Sequence, residues 1–199
     1  MLFGFFKKHA ERLRYYDTVT GMSKIIRRYF VMNSFDGALT IFGLLLGSFA
    51  AGVTNSLLIL KIGLSTAIAI GFSGLTGALM TERAERLREV KSMELALHRK
   101  LDNTDYKKAY EFATLLTAFV DGVSPVLAAT VLLSPFIFVP LPDAYYYAFG
   151  LALIVFFALG AFLGKIAKEH ILKTGLKFLL AGLACMVVIL LLENIQTGV

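Results

Sequence analysis

Five apolar stretches of roughly nineteen to twenty-five residues alternate along the chain with charged or turn-forming links. A helix that crosses the roughly 30 Å hydrocarbon core of a bilayer needs about 20 mostly apolar residues. The pattern therefore predicts five crossings, at about residues 29–52, 56–80, 110–133, 144–164 and 174–192. The expected fold class is all-α: an integral membrane bundle of five transmembrane helices over residues 29–199, preceded by a basic arm over residues 1–28. In that arm Leu2, Phe3, Phe5 and Phe6 precede Lys7, Lys8, Arg12 and Arg14. The arm reads either as an amphipathic segment lying on an anionic leaflet or as a solvated basic tail.

The links carry their own signals. Val53-Thr54-Asn55 is a tight connection, and Ser134–Pro142 is proline-rich. Residues 81–108 are charged, and Thr81–Lys100 contains no Gly or Pro and is filled with good helix formers. The second helix is therefore expected to run on into the cytosol as an acidic helix within 81–108.

Basic residues fix the expected orientation, because cytoplasmic flanks of membrane helices are enriched in Lys and Arg. Seven precede the first crossing, eight lie between the second and third, and four surround the fourth link: nineteen of the twenty. Lys61 alone falls on the other side. The expectation is a cytosolic N-terminus, a C-terminus outside, and Tyr145, Tyr146 and Tyr147 in an outer aromatic belt.

Composition narrows the function classes. A chain of 199 residues that is 57% hydrophobic, with mean hydropathy +0.73, is not an ordinary soluble domain. The net charge of +6 is placed for topology, so nucleic acid is not an expected partner. Cys185 is the one cysteine, inside an apolar run, so no intramolecular disulfide can form. His9, His98 and His170 stand apart, one to each polar segment. With no histidine ligand cluster and no Ser/His/Asp set at one depth, neither an enzyme nor a permanent cofactor is expected. The localisation expected is a cell membrane, multi-pass.

Against this background two carboxylates stand out. Gly37–Gly52 holds no charge in sixteen residues, yet as a helix it spans only about 24 Å. A full crossing must borrow Tyr29–Phe35, which draws Asp36 below the interface. An ionised Asp near the middle of a membrane helix costs on the order of 3 kcal/mol on insertion scales, a cost met where an ion, a proton or a partner compensates. The alternative makes Asp36 a helix N-cap at the headgroup level, with Gly37 easing the turn. Asp121 lies deeper in the third crossing. Pro125, four residues on, cannot donate the hydrogen bond that the Asp121 carbonyl would accept. That leaves either a cation ligand or a carbonyl satisfied by Ser124 or a neighbouring helix. Phe35-Asp36-Gly37 and Val120-Asp121-Gly122 form a faint echo consistent with a parallel repeat.

The acidic helix offers a third candidate. At 100° per residue Glu82, Glu85 and Glu89 share one face, joined by Met93, with Met80 one turn before Glu85. Carboxylates with a thioether suit a divalent transition metal such as Fe²⁺ or Mn²⁺. Arg86 projects onto nearly the same face and competes for Glu82 or Glu89, as in a charge-laced solvated helix. Gly43/Gly47 and Gly160/Gly164 are spaced for close helix approach, within a chain or between copies.

Asp36-Gly37-x-x-Thr40-x-Phe42-x-x-x-x-Gly47 resembles the first-helix signature of the vacuolar iron transporter family, whose members have five membrane helices. The likeness extends through the acidic continuation of the second helix. It returns at Lys173-Thr174-Gly175-Leu176-Lys177-Phe178-Leu179-Leu180-Ala181-Gly182, which is similar to that family's basic approach to the fifth helix. What the resemblance implies is a homodimer in membrane lipid that moves Fe²⁺ or Mn²⁺ out of the cytosol in exchange for protons. Residues lining the family's path map onto Asp36, Met80 and Glu82. Two departures stand beside it. About 28 residues replace the larger metal-gathering domain of plant and yeast relatives, and Ser73–Met80 departs from the usual second-helix motif. The competing expectation is a non-transporting scaffold or assembly protein whose intramembrane acids only pair helices.

Overall fold

The computed structural model describes residues 2–102 and 104–196. Among these the chain is helical, without strands: α1 (Leu2–Thr20), α2 (Met22–Ala50), α3 (Ser56–Leu97), α4 (Asp105–Leu133), the short α5 (Pro135–Phe138), α6 (Asp143–Ala167) and α7 (Ile171–Gln196). Five helical stretches are long and apolar enough to cross a membrane: α2, α3, α4 with α5, α6 and α7. That is the expected count, and it points to a multi-pass membrane protein.

Local chemistry sets the boundaries. The first long helix starts at Met22 rather than near residue 29, because nothing between Met22 and Phe35 breaks a helix; the break is Gly21, at φ +61°. Asp17 clamps this corner, its carboxylate accepting from the Ser23 backbone N–H at 2.8 Å and the Ser23 hydroxyl at 2.9 Å. Asn55 begins α3 by accepting the Leu58 N–H at 3.1 Å, as an N-cap does. From there α3 continues unbroken for 42 residues, about 63 Å, twice what a bilayer core requires. It stops at Leu97 instead of filling 81–108, and Thr104 opens α4 by accepting the Lys107 N–H at 3.3 Å.

The chain divides into two compact units, Met1–Phe30 with Ser73–Gly122, and Val31–Phe72 with Val123–Val199. In the first, Tyr16 and Met22 are buried with Ala109 and Ala113 of α4. From Tyr16 on, the arm is packed helix rather than a solvated tail.

The second unit is built on close approach and aromatic edges. A Cβ on Gly160 would lie 2.7 Å from the Thr174 carbonyl oxygen and 2.9 Å from the Gly175 Cα, and one on Gly164 would lie 3.0 Å from Thr174 Cβ. The Gly160/Gly164 pair therefore serves α6–α7 contact inside the chain. Phe156 of α6 meets Phe35 at 5.3 Å and Phe42 at 5.5 Å, both edge-on, the arrangement aromatic quadrupoles favour. Tyr145, expected in an outer belt, is instead 2% exposed and donates to the Val53 carbonyl at 2.9 Å. Its hydroxyl finds a backbone acceptor in the link between α2 and α3, which lets the ring enter the core. Tyr146 and Tyr147 are exposed.

Candidate functional site

Asp36 sits in the interior of α2, not at its start, so the N-cap reading is overturned. The side chain is exposed on a face that also shows Met32 and Thr40. Thr40 turns its hydroxyl back on the Asp36 carbonyl at 2.8 Å, satisfying its own polar group and leaving the carboxylate oxygens to whatever covers that face. What aims this face is Gly37. A Cβ there would lie 2.5 Å from both Cα and O of Pro125, far inside contact distance. Gly37 thus serves helix–helix contact with α4 instead of a turn. One helical turn earlier, buried Ser34 reaches the Ser124 carbonyl at 3.5 Å.

Asp121 is 5% exposed on α4, which carries Pro125 without interruption from Asp105 to Leu133. Asp121 Oδ2 lies 3.1 Å from where a Cβ on Gly74 of α3 would stand. The missing side chain at Gly74 admits the carboxylate to the helix surface. Despite the sequence echo, Asp36 and Asp121 occupy opposite environments, one exposed and one buried. They also belong to different units.

The acidic face of α3 divides in two. Glu82 turns inward: Tyr29 donates to it at 3.3 Å, and Arg86 Nη2 lies 3.2 Å from its Oε2. Arg86 is itself 5% exposed, and a buried guanidinium needs a counter-charge, which removes Glu82 from the expected ligand trio. Glu85 and Glu89 remain exposed and line a cavity of about 580 Å³ with Arg88, Met93, Tyr106 and Tyr110. Met80 is 73% exposed and does not line that cavity. Among the described residues, no three His, Cys, Asp or Glu side chains gather into a metal-sized group. What α3 offers is therefore an open pair of carboxylates with a thioether beside them, suited to collecting cations and not to caging one.

The sequence pattern missed Tyr29, Tyr106 and Tyr110. Tyr106 donates to the Tyr110 hydroxyl at 3.0 Å, one turn apart on α4. That i, i+4 pair at the start of an apolar run was the signal available.

No family model matches the sequence. The uncharacterized protein MJ0645 of Methanocaldococcus jannaschii is 32% identical over 182 residues, which cover 89% of this chain and 93% of that protein.

Proposed function

The chain belongs to the same family as that M. jannaschii protein, and for it we propose a divalent transition-metal transporter that moves Fe²⁺ or Mn²⁺ out of the cytosol in exchange for protons. The observation that carries this reading is the exposed Asp36 carboxylate, held in the interior of an apolar helix by the Gly37–Pro125 contact. An unneutralised carboxylate in that setting requires a cation, a proton or a polar partner surface. A carboxylate takes up a metal or a proton, not both at one oxygen pair, so competition between them is a direct physical route to exchange.

In this reading Glu85, Glu89 and Met93 collect cations at the cytosolic mouth, and Asp36 receives them within the span. The likeness of Asp36–Gly47 to the vacuolar iron transporter signature supports the same assignment. It also supports a homodimer, and the distribution of Lys and Arg supports an N-terminus inside and a C-terminus outside. A second copy against the open face of α2 would supply the remaining ligands around Asp36. The rival reading is a scaffold protein, favoured by the Arg86–Glu82 pair and by the burial of Asp121.

Uptake of Fe²⁺ or Mn²⁺ into liposomes under an imposed pH gradient separates the two. Asp36→Asn preserves size and hydrogen bonding and removes the charge. It is expected to abolish uptake at matched incorporation while the helix inserts as well as before. Equal uptake by wild type and variant would leave Asp36 as architecture and favour the scaffold.

A further inference from the structure

A second cavity, of about 570 Å³, lies in the first unit between α3 and α4, and three cations line it, where the other cavity has two glutamates and Arg88. Arg83 and Arg86 reach it from α3 and Lys107 from α4, with Glu111 the one carboxylate in the wall. Leu79, Leu87 and Leu115 supply an apolar side. Arg86 is the unusual member. Its Nε and Nη2 are buried without a hydrogen-bond partner. Glu82 lies 3.2 Å from Nη2 but out of hydrogen-bonding line, so it offsets the charge and leaves the donors unused. On its other side the guanidinium rests over the Tyr110 ring, 5.5 Å from the centroid, a contact that holds the fork in place without accepting from it. Lys107 donates to Asp102 at 2.6 Å and holds that carboxyl below its ordinary range. This pair is exposed, and such pairs contribute little to stability, so its displacement by an anion costs the fold little.

We propose that this cavity binds a phosphate group carried by an anionic lipid headgroup. Glu82 offsets Arg86 and Asp102 offsets Lys107, so an anion in the cavity would draw on Arg83 and on displacement of Asp102 from Lys107. Two guanidinium forks and an ammonium match the several oxygens of a phosphate better than a single carboxylate. The apolar side distinguishes a lipid from free phosphate. It begins at Leu79, where the uncharged part of α3 ends, and Leu115, on the apolar side of Lys107 in α4, is left exposed as an acyl chain would require. The site is independent of metal transport and uses none of the residues assigned to it.

The test uses the purified full chain in neutral detergent, titrated separately with phosphatidylglycerol, phosphatidylcholine and inorganic phosphate. Bound molecules are counted by native mass spectrometry and the thermal midpoint is followed in parallel. The expected result is one phosphatidylglycerol per chain with a raised midpoint, and no saturable phosphatidylcholine. Arg83→Gln with Lys107→Gln should weaken that binding at least tenfold. Lys168→Gln with Lys173→Gln removes the same charge elsewhere and should leave it unchanged. Arg86→Met should abolish binding; if it fails to fold, the Arg83/Lys107 pair decides alone. Saturable inorganic phosphate lost in the same double variant, without lipid selectivity, would keep the phosphate site and overturn its lipid source. Binding unaffected by the Arg83/Lys107 pair, or weakened equally by the Lys168/Lys173 pair, would overturn the site.

Discussion

A missing methyl group decides more at single positions than any side chain does. Gly37→Ala places a Cβ 2.5 Å from backbone atoms of Pro125, which cannot swing aside as a flexible side chain would. Overpacking of this kind costs about 1–3 kcal/mol or more, so the thermal midpoint of purified protein should fall clearly. Gly150→Ala meets nothing within 4 Å and should leave the midpoint level or slightly raised, since Ala favours a helix. An unchanged midpoint in Gly37→Ala would mean that the α2–α4 contact is looser than its geometry states. Tyr145→Phe offers a milder probe. Losing the bond to the Val53 carbonyl should cost about 1 kcal/mol, read by the same melt, with no change expected if water replaces the hydroxyl. The sequence made Asp36 conspicuous because its surroundings are apolar. Which way the carboxylate faces was not legible, because Gly37 and Pro125 set that azimuth from positions 88 apart in the chain.

Among the helices, α3 shows both the reach and the limit of pattern reading. Its continuation past the apolar run was plain from the absence of Gly and Pro after Thr81. Its acidic face looked uniform, because 100° spacing puts Glu82 beside Glu85 and Glu89. Burial of Arg86 beside Tyr110 breaks that uniformity, and a charge run by itself cannot announce that one of its members is covered. Function and stability should therefore come apart on this helix. Glu85→Gln with Glu89→Gln should weaken Mn²⁺ binding, measured by calorimetry, with helical content and melting preserved, as expected for exposed charges. Glu82→Gln leaves a buried guanidinium without its anion and should destabilise the fold, by about 3–5 kcal/mol if it behaves as other broken buried pairs do. Full metal affinity in the Glu85/Glu89 variant would return that face to plain solvation. Replacing all three acids at once would confuse the two effects.

For the whole molecule, the decisive quantity is which ends of the helices share a compartment. Among the described residues five helices are long and apolar enough to span a membrane, whereas their orientation rests on the distribution of Lys and Arg. Single cysteines in a Cys185→Ser background report it directly. Thr54→Cys and Tyr146→Cys should react with an impermeant maleimide only from outside, and Ser92→Cys only from inside; all three native positions are exposed. Labelling at residue 92 from outside would invert the map. It would also reverse the direction of metal movement proposed above, since the Glu85/Glu89 cavity would then open to the other compartment.

The Gly37–Pro125 contact also limits how this protein can change shape. A ratchet of one helical turn, about 5.4 Å, is a common way for one helix to step past another. Here such a step would bring Asn33 or Ile41 to the position where even a single added carbon stands 2.5 Å from the proline backbone. Neither side chain fits. The central part of α2 and the proline turn of α4 must therefore travel as one piece, carrying Asp36 with them. Exposure of that carboxylate to alternate sides would have to come from a hinge elsewhere, never from α2 sliding along its neighbour.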